Sequence, residues 1–465
     1  MSRFYPRLPA IPASILLLGW LGVAGISSEA LAATRLVTNC NDSGPGSLRA
    51  AAAAANSGDI IDLRSLACTR ITLTSGAIRL PDQFITVIGA GESRITIDGN
   101  GASRVFEHAP LASAPWPLNN EATLRLRRLT VANGLNAGQF QANGGCILGA
   151  THVRLEYAQV HHCIARAGND FTDGNSQGGG IAAGGKVVLF HAAVFANQAL
   201  GTGGDSTGGG IRAGGLLHVS YSVIYRNFVD GQVGGGSGLG LFLDRSTVRD
   251  NTATSTVGGI TSFNGPVTVN KSTISGNAAD LGGAMGALGA GHPVLISEST
   301  ISGNRTLRSP AALSFDGRGG TSILVLNSTI ADNHAEAPFD PASFEGAVTV
   351  FGPARFRSTI IANNFVGTEP NDLWAQILFG AMVLGDDNLI EVSNAPLPVD
   401  TIMADPMLGL LANNGGRTRT HALLMGSPAI DAGNNSHNWA HDQRGAGFPR
   451  VVNGRADIGA YERQD

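Results

Sequence analysis

An eleven-residue phrase recurs along the middle of this chain, and it constrains the fold more than any other feature of the sequence. Clear copies begin at Val267, Val294 and Ile323, and each contains Ser-Thr-Ile. A unit that returns every 24 to 34 residues is typical of a solenoid, in which each copy buries its apolar face by stacking on its neighbours. The repeat therefore predicts a stacked architecture.

We take the Ile or Val of this phrase as the reference position. When the copies are aligned on it, side chains of the same type fall into columns. Aliphatic residues stand seven and five positions before it, which is the alternation of a β-strand with one buried face. A small residue, usually serine, stands two before it, so the alternation slips once and the chain must bend there. β-Branched residues in period two and 64 glycines disfavour a helical solenoid. We predict an all-β fold, a parallel β-helix solenoid with two or three short strands per coil.

An asparagine follows the reference position by three residues in most copies. Because a carboxamide both donates and accepts hydrogen bonds, equivalent Asn side chains in stacked coils can bond to one another. We predict such an Asn ladder, with Cys163 in the same column one coil earlier. Its members are Asn197, Asn227, Asn251, Asn277, Asn304, Asn333 and Asn363.

The N-terminus has the pattern of a secretion signal. Arg3 and Arg7 precede an apolar run that begins at Ile15, and Ala30 and Ala32 offer small residues for cleavage. A membrane anchor is the alternative, but the run is short for a span. We predict a secreted protein, extracellular or periplasmic, monomeric and with no membrane span after cleavage. The predicted segments are a signal peptide over 1–32, an N-terminal cap and first coils over 33–125, β-helix repeats over 126–364, and C-terminal coils and a cap over 365–465.

Four cysteines are consistent with an oxidising compartment. Pairing Cys40 with Cys68 and Cys146 with Cys163 keeps both bridges local, while other connectivities and free buried thiols remain alternatives. No two of them form a C-x-x-C pair, which disfavours a metal site. The formal net charge is −4, so the chain lacks the excess positive charge that is typical of nucleic-acid-binding proteins.

Motifs at both ends of the chain resemble those of bacterial secreted β-helix proteins of the choice-of-anchor Q type. They are Val37–Arg49, Asp405–His421, Gly426–Gly433, Asp442–Gly445 and Asp457–Glu462. The resemblance implies an exported, right-handed parallel β-helix and assigns no activity. Within the C-terminal motifs, we expect carboxylate and guanidinium pairs to close the terminal coil. The residues concerned are Asp442, Arg444, Asp457 and Glu462.

Two outward-facing columns carry the candidate ligand-binding residues. One column stands three residues before the reference position and the other stands one residue after it. The earlier coils have aromatic and His side chains in these columns, and later coils have Arg and Lys. Flat rings beside cations suit an acidic polysaccharide that lies along the axis. Ring stacking that only stabilises the sheet is the alternative. The candidates are Tyr157, His161, His191, Tyr221, Tyr225, Arg245, Arg249 and Lys271.

A polysaccharide lyase or glycoside hydrolase acting on uronic-acid polymers is the alternative function. A lyase needs a base and a cation that stabilises the enolate-like state, and Arg245, Arg249 or Lys271 beside Asp244 and Asp250 could supply them. A purely structural surface filament is the third possibility.

Three further motifs are weaker. A hydrolase requires two carboxylates at its site, and Asp386 and Asp387 are adjacent in the sequence. This pair, however, lies beyond the repeats. His437 and His441 could bind a metal on a helix, yet no third ligand suggests itself. The loop over 169–175 offers oxygen ligands for Ca²⁺, although such loops are more often only solvated. No metal or cofactor is therefore predicted.

Overall fold

The computed structural model describes residues 32–81, 83–109, 122–168, 173–337 and 346–465. Within these ranges the chain is a right-handed parallel β-helix, as predicted. Every pairing of named strands there is parallel, except that of Phe365–Val366 with Glu369–Pro370. The predicted signal peptide lies outside the described residues, apart from its last residue.

Sheets 1 and 2 run the length of the solenoid. Sheet 1 has thirteen described strands: Thr34–Leu36, Ile60–Asp62, Ile85–Ile88, Thr123–Arg127, His152–Glu156, Val187–Phe190, Leu216–Ser220, Gly240–Asp244, Val267–Asn270, Val294–Ser297, Ile323–Leu326, Pro353–Arg357 and Met382–Asp386. Sheet 2 has twelve: Arg70–Thr72, Thr96–Asp98, Thr130–Ala132, Gln159–His161, Ala193–Phe195, Val223–Tyr225, Thr247–Arg249, Thr273–Ser275, Thr300–Ser302, Thr329–Ala331, Ile360–Ala362 and Leu389–Ile390.

The remaining sheets complete each coil. Sheet 3 contains Leu135–Gly138, Ile164–Ala167, Gln198–Gly201, Phe228–Val229, Thr252–Ala253, Ala278–Ala279, Arg305–Arg308, His334–Ala337, Phe365–Val366 and Glu369–Pro370. Sheet 4 contains Ile78–Pro81, Phe106–Ala109, Ile147–Gly149, Ile181–Ala183, Ile211–Ala213, Gly236–Gly238 and Ile260–Ser262. Sheet 5 contains Met285–Gly289, Leu313–Asp316, Val348–Phe351 and Leu373–Ala375, and a separate pair joins Gln141–Asn143 to Asn175–Gln177.

Central coils therefore have four short strands rather than the predicted two or three. The extra division arises at two sharp corners, where one residue adopts the left-handed conformation. At the first corner, between sheets 1 and 2, φ is 42–53° for Arg128, Tyr157, His191, Tyr221, Arg245, Lys271, Glu298, Asn327 and Ser358. At the second, between sheets 2 and 3, φ is 53–66° for His162, Ala196, Arg226, Asp250, Gly276, Gly303, Asp332 and Asn363. A single residue in this conformation turns the chain from one sheet to the next, and the conformation is uncommon for residues such as Tyr157, Arg245 and Lys271.

The core is built from the aliphatic columns that the repeat predicts. Ile274 pairs with Ile301, which pairs with Ile330, and all three are fully buried. The columns of sheet 1 superpose in the same way, as in the register of Val187 with Leu217. Each copy thus covers the apolar face of the copy before it, which is why the repeat needs its neighbours to fold.

Two hydrogen-bonded ladders stabilise the inner corners. From Asn197 to Asn333, each Asn donates its Nδ2 to the Oδ1 of the next rung at 2.9–3.0 Å. The small residues past the first corner form a second ladder, because each backbone N–H from Ala192 to Ser299 donates to the Oγ of the next serine at 3.0–3.2 Å. From the sequence, we predicted only that a small residue stands at this position, and we did not predict these hydrogen bonds.

The prediction that Asn363 continues the Asn ladder is wrong by one residue. Asn333 donates to Asn364, and Asn364 in turn donates to Asp372 at 2.8 Å. The last copy has two adjacent isoleucines, and Ile361 rather than Ile360 pairs with Ile330. Asn363 instead occupies the second corner. Burial raises the pKa of Asp372 to about 7, although the hydrogen bonds from Asn364 lower it.

The N-terminal end, where a cap was predicted, is closed by a short helix, Leu48–Ala53. Ser47 accepts a hydrogen bond from the Ala50 backbone at its start. Cys40 is bonded to Cys68, and Cys146 to Cys163, with Cα–Cα distances of 6.4 and 5.4 Å. Both bridges follow the local pairing expected from the sequence.

The other helical segments that the structure describes are two single 3₁₀ turns, Arg318–Gly320 and Ile377–Phe379. In the described part of the chain, no helix has the length and apolarity needed to cross a membrane. At the C-terminal end, Ala395 and Leu397 pack on the core and close the last coil. The remaining segment, Asp405–Asp465, folds back along the flank of the solenoid. We refer to it as the C-terminal cover.

Candidate ligand-binding face

The C-terminal cover lies on the outer face of sheet 2 over its later strands. The Thr and Ser side chains of those strands hydrogen-bond to it directly. The contacts include Thr273 Oγ1 to Arg419 O at 2.6 Å, Thr300 Oγ1 to Gln443 Oε1 at 2.6 Å, and Ser302 Oγ with His421 Nε2 at 2.8 Å. The outward-facing residues Lys271, Thr273 and Ser275 are accordingly buried, while their equivalents one coil earlier, Arg245, Thr247 and Arg249, are partly exposed.

Lys271 is buried beneath this cover, which contradicts its prediction as a ligand-binding residue. Its Nζ donates to the backbone oxygens of His441 and Asp442, each at 2.7 Å, and lies 2.6 Å from Glu298 Oε2. Burial raises the pKa of Glu298, and the neighbouring ammonium partly opposes this. Lys271 therefore attaches the cover to the solenoid and is unavailable to a ligand.

The motif residues of the cover are structural, but in a different arrangement from the predicted one. Arg444 pairs with Asp442 at 2.7 Å, and its guanidinium lies 3.9 Å from the ring centroids of both Phe448 and Tyr461. Glu462 accepts hydrogen bonds from the backbone of Val452 and Asp457, and burial raises its pKa to about 8. Asp457 likewise accepts from the backbone of Asp431 and Arg463. These contacts hold a lateral cover rather than closing the terminal coil, because the segment leaves the solenoid axis.

The structure brings all seven remaining candidates together on the uncovered part of sheet 2 and at the corner beside it. We call this surface the uncovered face. Its first column is Arg128, Tyr157, His191, Tyr221 and Arg245, and its second is His161, Phe195, Tyr225 and Arg249. The residues of each column come from successive coils, which are about 4.8 Å apart.

The rings within each column stack face to face. Tyr157 and His191 have centroids 4.9 Å apart, and those of His191 and Tyr221 are 5.0 Å apart, with interplanar angles of 7° and 11°. In the second column, Phe195 stacks on Tyr225 at 4.7 Å and on His161 at 4.8 Å. The faces between neighbouring rings are occupied by one another, so a sugar cannot stack on them. Their edges are what the columns present to solvent.

Guanidinium groups stand at the C-terminal side of both stacks. Arg245 lies 5.5 Å from the Tyr221 ring and Arg249 lies 4.6 Å from the Tyr225 ring. Both are already paired within the chain, Arg245 with Asp244 at 2.9 Å and Arg249 with Asp250. Their positive charge is therefore partly neutralised before any ligand binds.

Two arginines of this face were missed by the sequence reasoning. Arg417 reaches back from the cover, lies 5.3 Å from the Tyr221 ring and donates to the Tyr221 backbone oxygen. It is exposed, and no carboxylate among the described residues pairs with it. Arg128 occupies the first corner one coil before Tyr157. No sequence signal marks Arg417, which lies 196 residues from its partner, whereas extending the column by one coil would have found Arg128.

The histidines of this face add little positive charge at neutral pH. Burial lowers the pKa of His161 to about 4, with smaller effects from His162 and Arg70. Burial likewise lowers the pKa of His191, and Arg417 lowers it further. Both rings are therefore neutral at pH 7, and the cationic character of the face comes from arginine.

The low pKa of His161 predicts a loss of stability in acid. The unfolded chain takes up this proton near pH 6.5, but the folded chain does so only near pH 4. The stabilisation is complete above pH 6.5 and falls as the pH drops from 6.5 towards 4. His161→Phe keeps the ring beside Phe195, so the melting temperature should decline less over this interval. Melting curves of the variant and of the exposed control His437→Phe would test this, and equal acid sensitivity in all three proteins would contradict it.

The weaker motifs have structural partners. Asp386 pairs with Arg357 at 2.7 Å and Asp387 with Arg455 at 2.9 Å, and both accept hydrogen bonds from Asn434. His437 stacks on Trp439 at 5.0 Å. In the described ranges no three His, Cys, Asp or Glu side chains are grouped to hold a metal ion. Residues 169–172 of the suggested Ca²⁺ loop lie outside them.

Neither a protein-family model nor a curated protein matches the chain. Among solved structures it is similar to pectate lyase Pel9A, with 14% sequence identity and a TM-score of 0.43. The match covers 93% of this chain and 96% of the pectate lyase chain. The resemblance to choice-of-anchor Q proteins, the monomeric state and the absence of a nucleic-acid partner stay predictions.

Proposed function

We propose that this protein binds acidic polysaccharide along the uncovered face. The observation that carries the proposal is Arg417, an exposed guanidinium without a carboxylate partner in the described chain, held over Tyr221 at the end of a ring stack. Arginine is suited to carboxylates because its planar donors can bind both oxygens of the group.

The remaining groups of the face agree with an anionic ligand. Tyr157, Tyr221 and Tyr225 belong to the stacks, whose edges rather than faces meet solvent, and a phenol can donate a hydrogen bond from its edge. The guanidinium groups of Arg128, Arg245, Arg249 and Arg417 outnumber the carboxylates of Asp244 and Asp250. An extended polymer of sugar acids would meet donors at successive coils and would need no stacking on ring faces.

The face has a limited length. The loop between strands Ile85–Ile88 and Thr96–Asp98 bounds its N-terminal side, where Thr130 Oγ1 donates to Glu92 O at 2.6 Å. The C-terminal cover bounds the other side at Lys271. From Arg128 to Arg245 there are four coil spacings, or about 19 Å. A short segment of polymer fits this surface. We further propose that the protein acts outside the cytoplasm, which is consistent with its two disulfides.

Arg417→Gln is expected to weaken binding to polygalacturonate or alginate by about tenfold or more, since it removes a charge-assisted hydrogen bond. Arg305→Gln, which removes an exposed arginine from sheet 3, is the matched control and should leave binding nearly unchanged. Retention on immobilised polymer, with dextran as the uncharged reference, measures both variants. Equal losses in the two variants, or no retention of the parent protein, would refute the proposal. Release of unsaturated oligosaccharides, seen by ultraviolet absorbance, would instead establish a lyase.

A further inference from the structure

Four charged side chains meet on the outer face of sheet 1, around the first corner from the uncovered face. Arg125 and Arg127 come from strand Thr123–Arg127, and Arg154 and Glu156 come from the next strand. Alternate residues of a strand share a side, and the register places Arg154 beside Arg125 and Glu156 beside Arg127. We call these four residues the arginine cluster.

All three guanidinium groups contact the one carboxylate. Arg125 Nη2 lies 2.7 Å from both carboxylate oxygens of Glu156, Arg127 Nε lies 2.8 Å from Oε2, and Arg154 Nε lies 2.5 Å from Oε1. Burial raises the pKa of Glu156, but the hydrogen bonds from Arg125 and Arg154 outweigh it and hold this pKa below its usual value. Glu156 is therefore ionised at neutral pH.

The cluster has an excess of positive charge. Three guanidinium groups and one carboxylate leave a net charge of +2. The adjoining carboxylates along the strands of sheet 1 are Asp62, two strands before the cluster, and Asp244, three strands after it. Each of these is paired with another arginine. In the described chain, Glu156 alone neutralises the three arginines.

The fold does not need all three cations. One guanidinium is enough to neutralise Glu156, and Arg125 and Arg154 are direct register partners, an arrangement in which like charges destabilise a sheet. Arg125 Nε is also buried and has no hydrogen-bond partner among the described residues. The surplus arginines therefore cost stability when no anion is bound.

Donors of the cluster are free to meet a ligand. In the part of the chain that the structure describes, the Nη atoms of Arg127 and Arg154 donate to no other group. The side chains of Arg125, Arg127 and Arg154 are 29, 35 and 42% exposed, so solvent reaches the cluster. A guanidinium holds its donors in a plane that matches two oxygens of a phosphate group.

We propose that the arginine cluster binds a phosphate monoester. Such a group carries close to two negative charges at neutral pH, which matches the excess charge of the cluster, whereas a sulfate ester or a carboxylate carries one. The site is separate from the uncovered face, because the corner residues Arg128 and Tyr157 lie between them. It gives the protein a second anion specificity, for phosphate rather than for sugar acids.

Calorimetric titration of the full chain at neutral pH and low salt tests the proposal. The probes are glucose 6-phosphate, glucose 6-sulfate and inorganic phosphate. Glucose 6-phosphate should bind about tenfold or more tightly than glucose 6-sulfate, which has the same shape and a smaller charge. Inorganic phosphate should bind as well, since the phosphate group itself is recognised.

Arg127→Gln is the most informative variant, because Arg127 contacts Glu156 through Nε alone. It should weaken the binding of glucose 6-phosphate by about tenfold. It should not lower the melting temperature, since Arg125 and Arg154 still hold Glu156. Arg305→Gln, which removes an exposed arginine from sheet 3, is the matched control and should change neither quantity.

Two further measurements separate the cluster from the uncovered face. Arg417→Gln should bind glucose 6-phosphate as the parent does, and Arg127→Gln should be retained normally on polygalacturonate. The proposal is overturned if neither phosphate compound binds, if glucose 6-sulfate binds as tightly as glucose 6-phosphate, or if Arg127→Gln and Arg305→Gln bind alike. A melting temperature of Arg127→Gln well below that of the parent would also overturn it, because the third arginine would then be needed to hold Glu156.

Discussion

Lys271→Met is expected to lower the free energy of unfolding by about 3 to 5 kcal/mol at neutral pH, the usual cost of removing one partner from a buried ion pair. The substitution leaves the fully buried Glu298 without its cation and deprives the cover of two hydrogen bonds at His441 and Asp442. Chemical unfolding at several pH values measures the loss, and limited proteolysis of the cover gives an independent readout.

The pH dependence of this variant has a definite sign. Burial raises the folded pKa of Glu298 above its unfolded value, so the folded state holds its proton longer and stability falls as the pH rises. Without Lys271 this effect grows, and the variant should be closer to the parent at pH 5 than at pH 8. Replacing both partners, as in Lys271→Met with Glu298→Leu, should recover part of the loss. A double variant as unstable as the single one, or a single loss below about 1 kcal/mol, would contradict the role of the pair.

Asn277→Leu is expected to destabilise the protein by about 3 to 6 kcal/mol, since each buried partner left unsatisfied costs about 1 to 3 kcal/mol. The Asn277 side chain donates to Val248 O and Asn304 Oδ1, and it accepts from the backbone and the Nδ2 of Asn251. Leucine is similar in size but replaces none of these bonds. The midpoint of urea unfolding would report the change.

The control for this variant is an asparagine outside the ladder. Asn264 is exposed and bonded to His292, so Asn264→Leu should change stability by no more than about 0.5 kcal/mol. A small effect at Asn277 would show that neighbouring rungs rearrange to satisfy the freed groups. In that case the ladder would be a consequence of coil stacking rather than a source of its stability.

Most of the coil could be predicted from the repeat because its determinants are local. The aliphatic columns, the bends and the Asn ladder each follow from residues at fixed spacing within one copy. The error at Asn363 arose where the spacing was ambiguous, since Ile360 and Ile361 both fit the reference position. Only the register with Ile330 distinguishes them, and that register belongs to the stacked strands.

The candidate face was predicted less well. The columns that hold Tyr157, His191 and Tyr221 were located correctly, but the sequence does not reveal that their rings stack so closely that the faces are unavailable. Lys271 lies in the same column and has the same local pattern as Arg245, yet one is buried and the other is accessible.

The repeat determines which side chains point inward and which stack above one another, because both properties depend on strand alternation and on spacing within about thirty residues. Which outward-facing columns remain open to a ligand was decided by tertiary structure. The cover binds the solenoid through contacts between residues far apart in the sequence, such as Ser302 with His421, 119 positions apart, and Lys271 with Asp442, 171 positions apart. Such contacts depend on the complementary shape and hydrogen bonding of two folded surfaces, for which the repeat has no periodic signal.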